Sequence, residues 1–379
     1  MPKNPVMPKS IVGVPREIKD QEDRVALVPS GAYTLVGDGH AVLVEQGVGA
    51  GIEISDDEYR RAGAEIVPDA ETLYERAEIL VKVKEPLDSE YSRLRAKHVI
   101  FTFFHFAANR KLTEAMMDSG ATCVAYETIE DPQGRLPLLT PMSEVAGRMS
   151  VLAAAQHLER QNGGRGVLVS GVPGVPPAQV VVLGGGVVGS NAARIAAGLG
   201  AQVKIFDIDL ERLRYLEEVM AANVTTVYSN PFSIREAVTR ADIVIGAVLV
   251  PGARAPVLIP REYLSEMQKG SVIVDVAVDQ GGCVETCRPT THANPTYVEE
   301  GVVHYCVANM PGAVARTSTF ALTNATLPYV RELAAHGIAG LFQRDRHAAK
   351  GLNIRSGKVY HEGVSRAFDL QLTSLEELP

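Results

Sequence analysis

Gly184, Gly186 and Gly189 stand as G-x-G-x-x-G in Gln179-Val-Val-Val-Leu-Gly-Gly-Gly-Val-Val-Gly-Ser-Asn. An apolar run precedes them and an Ala-rich segment follows. In that context Gly184 permits the tight turn. Gly186 lets a pyrophosphate approach the backbone, and Gly189 lets helix and strand pack closely. The N–H groups at the start of the following helix face the phosphates. Asp207 lies 18 positions beyond Gly189, at the end of Val203-Lys-Ile-Phe. Its carboxylate can accept from ribose hydroxyls and repels a 2′-phosphate, which favours NAD over NADP. Arg212 nearby weakens that preference. The competing reading is a mononucleotide-like α/β domain with an empty loop.

Ionisable groups also follow other apolar runs. Lys84 ends Leu80-Val-Lys-Val-Lys, just before Glu85-Pro86. An ammonium there can hold a carbonyl or carboxylate; the alternative is a solvated lysine on an edge strand. His105 ends Val99-Ile-Phe-Thr-Phe-Phe-His. It is a candidate acid/base near neutral pH, or else a satisfied, partly buried histidine. Asp279 follows Ser271-Val-Ile-Val-Asp-Val-Ala-Val and precedes Gln280-Gly-Gly. It either faces the nicotinamide end of a cofactor or caps a turn. Arg24, in Gln21-Glu-Asp-Arg-Val, offers a fork for a carboxylate, against the usual surface ion pair. Ser143 reads as an N-cap or a cofactor contact. Asn309, in Val307-Ala-Asn-Met-Pro, contacts cofactor or shapes a turn. Glu332 and His336 are spaced i,i+4 and read as a solvated pair. Cys283 and Cys287 lack the partners of a four-ligand zinc site. No metal site is assigned.

Such strand-end chemistry belongs to parallel α/β sheets, where function collects at the carboxyl ends of strands. The sequence supplies two alternating series. The first has strands at Ile11–Val14, Ala41–Glu45, Ile79–Val83, Val99–Phe104 and Ala121–Tyr126. Helices fit between them over 31–38, 56–62, 70–77 and 110–119. Asp131 to Pro141, with four Gly or Pro residues, marks a break. The second series has strands at 179–183, 202–206, 224–228, 243–246, 271–276 and 302–307. After Asn309 a helical stretch over 320–336 is expected, with no further strand series, packing back on the first domain. The expected domains are 1–137 with 311–379, and 138–310.

Composition narrows the classes. The 379 residues hold 37 Lys plus Arg and 45 Asp plus Glu, a formal net charge of −8. That balance argues against a broad grip on nucleic acid and against a polybasic membrane patch. Four cysteines in so long a chain make no disulfide framework. Met1 to Ser10 is polar and no run of spanning length is cleanly apolar, so neither a signal segment nor a membrane span is expected. The expectation is a soluble cytoplasmic protein with no nucleic-acid or membrane partner.

Taken together, Asp23-Arg-Val-Ala-Leu, Leu80-Val-Lys-Val-Lys-Glu-Pro, Tyr126-Glu-Thr, Pro141-Met-Ser-Glu-Val-Ala-Gly-Arg, the glycine fingerprint with Asp207, Gly246-Ala-Val-Leu-Val-Pro-Gly, Val278-Asp-Gln-Gly-Gly and Val307-Ala-Asn-Met-Pro resemble bacterial alanine dehydrogenases over nearly the whole chain. The resemblance implies two Rossmann-like, doubly wound parallel-sheet domains with an active-site cleft between them. It implies reversible NAD-dependent oxidative deamination of L-alanine to pyruvate, ammonium and NADH. Arg24 and Lys84 would hold the substrate carboxylate and carbonyl, and His105 would be the acid/base. Asp279 would assist proton and water handling. Asp207 would take the adenosine ribose, with Arg212 and Ser229 nearby. Ser143, Val187, Val188, Val248, Leu249, Val276, Ala277, Val278, Asp279, Arg288, Val307, Ala308, Asn309 and Met310 would line the rest of the NAD site. Members of the family are commonly hexamers, so a homo-oligomer is expected.

A related protein competes. The NAD-binding component of proton-translocating transhydrogenase shares the fold, but its pattern lacks the lysine, histidine and aspartate at the places of Lys84, His105 and Asp279. A non-catalytic NAD-binding protein on the same scaffold is the third reading.

Overall fold

The computed structural model describes residues 10–248, 255–278 and 281–375. The chain divides into two compact units, Met1–Met142 with Val314–Pro379, and Ser143–Ala313.

The first unit is built on strands β1 (Ile11–Val14), β2 (Ala41–Glu45), β3 (Glu65–Val67), β4 (Ile79–Val81), β5 (Val99–Thr102) and β6 (Thr122–Ala125). These six run parallel in the order β3-β2-β1-β4-β5-β6. The order reverses at β1, so β1 and β4 flank the switch point where a doubly wound sheet opens a crevice. β4 is therefore a central strand, which removes the edge-strand reading of Lys84. Three of the helices between the strands, Asp56–Arg61, Ala70–Arg76 and Arg110–Ser119, start on side-chain caps. Ser55 accepts from Glu58 N, Asp69 from Thr72 N and Asn109 from Leu112 N. Each such cap stabilises its helix by roughly 1 kcal/mol.

The second unit carries β7 (Gln179–Leu183), β8 (Gln202–Asp207), β9 (Val224–Tyr228), β10 (Ile243–Gly246), β11 (Val272–Asp275), β12 (Thr296–Glu299) and β13 (Val302–Tyr305). Their order, β9-β8-β7-β10-β11-β13-β12, repeats the pattern of the first sheet, with its switch point between β7 and β10. Only β12 is antiparallel among the described strands of this sheet. Alternate residues feed two cores. Val180, Val182, Ile205 and Ile245 lie in one, and Val181, Leu183, Phe206 and Val244 in the other. Full burial of one such side chain stabilises the fold by about 1.5–3 kcal/mol.

The chain then returns to the first unit. Helix Ala315–Arg344 runs on, broken at Gly337, and is followed by β14 (Leu352–Arg355) and β15 (Lys358–Val359). β14 adds antiparallel to β6. Ile354, Val359 and Val364 join the core of Leu43, Leu80, Ile100 and Phe104. The expectation of no further strands after Asn309 is thus corrected. Both sheets are mostly rather than wholly parallel. No helix among the described residues is long and apolar enough to cross a membrane.

Candidate active site

In the first unit the polar groups gather past the carboxyl ends of β1, β4 and β5. Arg24 follows β1 and is buried, with side-chain exposure of 2%, beside a fully buried Glu22. Its Nε donates to Glu22 Oε1 at 2.6 Å and its Nη2 to Glu22 Oε2 at 2.5 Å. Nη1 lies 3.1 Å from Met142 Sδ. A bidentate carboxylate fixes the plane of the guanidinium, so the fork has one orientation rather than many.

Lys84, past β4, is partly buried, and its backbone N–H lies 3.4 Å from Glu17 Oε1. Burial lowers its pKa below the ordinary lysine range, and the nearby charges of Arg24 and Lys19 lower it further. Arg24 and Lys84 thus form one cationic pair. Its support lies beneath it. Lys82 is buried with Nζ 3.0 Å from Glu90 and 3.3 Å from Glu17. Glu17 also accepts from Val83 N at 2.6 Å, and Tyr74 OH donates to Glu90 at 2.6 Å. Burial raises Glu17, against the pull of Lys82. Removing one member of such a buried group costs about 3–5 kcal/mol, because the others keep uncompensated charge. Lys82 and Lys84 alternate with Val81 and Val83 and differ in role: Lys82 is tied inside and Lys84 carries the strand end.

His105 follows β5, whose end is tied to that of β4 by Phe103 N to Val83 O at 3.4 Å. Its backbone is left-handed, with φ 52° and ψ 40°. Glu127 holds it there by accepting from His105 N at 2.6 Å and Phe104 N at 3.1 Å. Glu127 Oε1 is 3.9 Å from the ring Nδ1, and the imidazole stacks on Phe103 at 5.9 Å between centroids. The imidazole is 46% exposed, so it is open to a reacting group rather than a satisfied core histidine.

In the second unit the glycine loop has the shape the sequence requires. Gly184 has φ +99°, and a Cβ on it would sit 2.7 Å from Ala247 O. A Cβ on Gly189 would lie 1.8 Å from Gly184 O, so only hydrogen fits. A Cβ on Gly186 would meet nothing within 4 Å, which leaves its surface open to a phosphate. Gly186 is also the N-cap of helix Val187–Gly198, and no side chain caps that helix. Asp207 Oδ2 accepts from Gly185 N at 2.7 Å and Oδ1 from Asp209 N at 2.9 Å. Arg212 Nε donates to Gly185 O at 2.6 Å, so its charge is drawn toward the loop backbone. Ser229 N donates to Asp207 O at 2.9 Å. These features fit a dinucleotide with its pyrophosphate over Gly186 and a ribose near Asp207.

Several of the remaining expected positions follow β10, β11 and β13 along the chain. Val276 N donates to Gly246 O at 2.9 Å, which sets Val276, Ala277 and Val278 just beyond Asp275. Asp275 is buried and accepts from Ala277 N, Cys283 N and Val284 N. Burial pushes its carboxyl up to about 6, against those donors. Val248 is half-buried beyond β10. Arg288 lies 4.3 Å over the Tyr297 ring. Val307, Ala308, Asn309 and Met310 form the turn after β13, with Asn309 at φ 65°. Ser143 is the fourth residue of helix Thr140–His157, so the N-cap reading is corrected. In that helix Gly147 lets the backbone approach Val188; a Cβ there would stand 2.3 Å from Val188 O. Leu249 and Asp279 lie outside the described residues. Glu332 and His336 form an i,i+4 pair at 3.8 Å, and no cluster among the described residues could hold a metal.

Two family models match almost end to end: the alanine dehydrogenase/PNT N-terminal domain over residues 13–146 and the corresponding C-terminal domain over 150–362. The chain belongs to this family. Among its relatives, alanine dehydrogenase of Halomonas elongata is 55% identical, over 97% of this chain and 99% of that protein. A solved L-alanine dehydrogenase superposes with a TM-score of 0.91 at 55% identity, covering 95% of this chain and 99% of that one. Transhydrogenase from Sinorhizobium meliloti is a more distant family neighbour, at 27% identity and a TM-score of 0.78, covering 93% of this chain and 99% of that one. Three carboxylates that tie the candidate residues and their neighbours in place went unmarked in the sequence: Glu17 on Lys82 and Val83 N, Glu22 on Arg24, and Glu127 on His105 N. Glu22 stands two residues from its arginine, a signal hidden in a run of loop charges.

Proposed function

We propose that this chain catalyses the reversible NAD-dependent oxidative deamination of L-alanine to pyruvate, ammonium and NADH. The observation that carries the proposal is the Arg24–Lys84 pair, with Arg24 buried and oriented by Glu22 and Lys84 partly buried at the switch point, in a chain 55% identical to the alanine dehydrogenase of Halomonas elongata along its length.

Arg24 binds the substrate carboxylate through a fork held by Glu22. Lys84 hydrogen-bonds the oxygen or nitrogen at the neighbouring carbon. A lysine held below its usual pKa gives up a proton more readily, which suits protonation of the carbonyl oxygen in the aminating direction. Two cations in a poorly hydrated place also polarise that carbonyl strongly. His105 takes a proton from the water that attacks the imine carbon and returns it to the departing amine. Asp279 shares the handling of that water. Holding the small anion in one pose removes much of the entropic barrier to its reaction.

NAD, when bound, supplies the acceptor for hydride from the alanine Cα. Gly184, Gly186 and Gly189 hold its pyrophosphate, and Asp207, with Arg212 and Ser229, holds the adenosine ribose. The other contacts assigned are Ser143, Val187, Val188, Val248, Leu249, Val276 to Asp279, Arg288 and Val307 to Met310. We further propose a homohexamer and a cytoplasmic location; the four free thiols suit a reducing compartment.

The test is absorbance at 340 nm with NAD and L-alanine, alongside NADP and other amino acids. Alanine-dependent NADH formation, reversed by pyruvate plus ammonium, is expected. Tight NADH binding without turnover would overturn the proposal and favour the transhydrogenase-component reading. Light scattering on the eluting protein tests the hexamer.

A further inference from the structure

The mechanism leaves one cluster unused. Cys287 and Cys306 place their Sγ atoms 3.3 Å apart, from a loop and from the residue just after β13. We infer that these residues form an oxidisable dithiol, that a small hydroperoxide closes it to a disulfide, and that closure weakens dinucleotide binding. The second half rests on the cofactor contacts proposed above.

A disulfide bond is about 2.05 Å long, so the sulfurs must approach by roughly 1.3 Å. Cys306 is buried and Cys287 is partly exposed, so a peroxide reaches the pair from the Cys287 side. The hydrogen bond between the thiols holds Cys306 below the ordinary thiol range and pushes Cys287 well above it. In the first step one sulfur of the pair, reached from the Cys287 side, attacks a peroxide oxygen. The O–O bond breaks, an S–O bond forms, and the departing hydroxide takes the proton shed by that thiol to become water. In the second step the other sulfur attacks the sulfenic sulfur. The S–S bond forms, the S–O bond breaks, and the second thiol's proton leaves with the hydroxyl as water. Two thiols are oxidised and one peroxide is reduced.

The consequence follows from what is attached to each sulfur. Cys287 directly precedes Arg288, and Cys306 directly precedes the Val307–Met310 turn. Thr290 N donates to Cys306 O at 2.8 Å and Ala308 N to Thr290 O at 3.1 Å, so the two segments are already laced together. Tyr297 is the third member. Its hydroxyl lies 3.9 Å from Cys306 Sγ, accepts from Arg288 N at 2.9 Å and donates to Thr286 O at 2.9 Å. Its ring also carries the Arg288 guanidinium. A sulfur displacement pulls on Arg288, the chain neighbour of Cys287, and on the turn that follows the buried Cys306, whose dense surroundings have no slack to absorb it.

The full-length protein is treated with hydrogen peroxide, alkylated and mapped by mass spectrometry, while NADH binding is followed by NADH fluorescence. A peptide pair joining Cys287 to Cys306 and lacking two hydrogens is expected. NADH dissociation should rise by about fivefold or more, and dithiothreitol should restore it. Cys287→Ser should keep its NADH affinity in peroxide; Cys306→Ser serves as the second variant, in case the first folds poorly. A bridge to Cys283 instead, no bridge at all, or a bridge with unchanged NADH affinity would each overturn the inference. Loss of affinity in peroxide that persists in Cys287→Ser would overturn it as well. If the reduced protein binds no NADH, the cofactor assignment fails, and the mapped bridge still reports on the dithiol alone.

Discussion

Replacing Asp207 with Asn tests the cofactor assignment at its most exposed point. The carboxylate has two oxygens, each with one protein donor: Gly185 N on Oδ2 and Asp209 N on Oδ1. An ionised carboxylate has about four acceptor positions, which leaves capacity for two ribose hydroxyls. Asparagine keeps one accepting oxygen and turns the other into a donor. One face then opposes an N–H or a hydroxyl hydrogen instead of receiving it. A hydrogen bond to a charged group contributes about 1.5–3 kcal/mol. At 1.4 kcal/mol per decade, NADH should bind roughly 10- to 150-fold more weakly. The removed charge should also relax rejection of the 2′-phosphate, so NADPH should lose far less affinity or gain some. The chain has no Trp, so titrating NADH by its own fluorescence needs no correction for indole emission. A variant with NADH affinity within about twofold of the parent, at unchanged NADPH affinity, would refute the ribose contact.

Three further outcomes are expected. His105→Ala should lower kcat by about 100-fold or more while NADH still binds; turnover near the parent's would remove His105 from the chemistry. Glu22→Gln should raise KM for pyruvate by roughly tenfold and destabilise the fold by about 3 kcal/mol, leaving NADH affinity intact, since Arg24 loses its buried counter-charge. A pyruvate saturation curve that does not move would show that the clamp is dispensable. Asp275 keeps its proton up to about pH 6 when folded, whereas unfolded it ionises from 3.8. Between those values the folded state binds more protons, so its contribution to stability falls as pH rises through that window, by on the order of 3 kcal/mol. Urea melts of the parent and Asp275→Asn across pH 4 to 7 should show their difference declining with pH; a flat difference would contradict it.

What the sequence revealed and what it hid follow from distance along the chain. The glycine loop and Asp207 were legible because their constraints act within one βαβ unit, where residue order is nearly spatial order. Lys84, His105 and Arg24 could be picked as types at strand mouths, but their partners could not. Glu127 lies 22 residues from His105, and the contact arises only when β6 pairs with β5. Glu17 meets Val83 across 66 residues because β1 lies beside β4. β3, with three residues, is too short for its alternation to register. The β14–β15 hairpin did carry a signal: Ser356-Gly357, both at positive φ, between Arg355 and Lys358. Such a two-residue turn is a strong hairpin mark. It was masked by the helical character of the preceding stretch.

The return of β14 and β15 to the first sheet has a consequence for the order in which the molecule is made. Residues 143–313 form a continuous unit, complete once they have left the ribosome. The other unit begins synthesis first, yet β6 must wait more than 200 residues for its β14 neighbour. Until then it presents a bare strand margin, the kind of surface that pairs with the wrong chain. The unit of residues 143–313 is thus able to mature before the one begun ahead of it, and strands translated after it complete the earlier sheet.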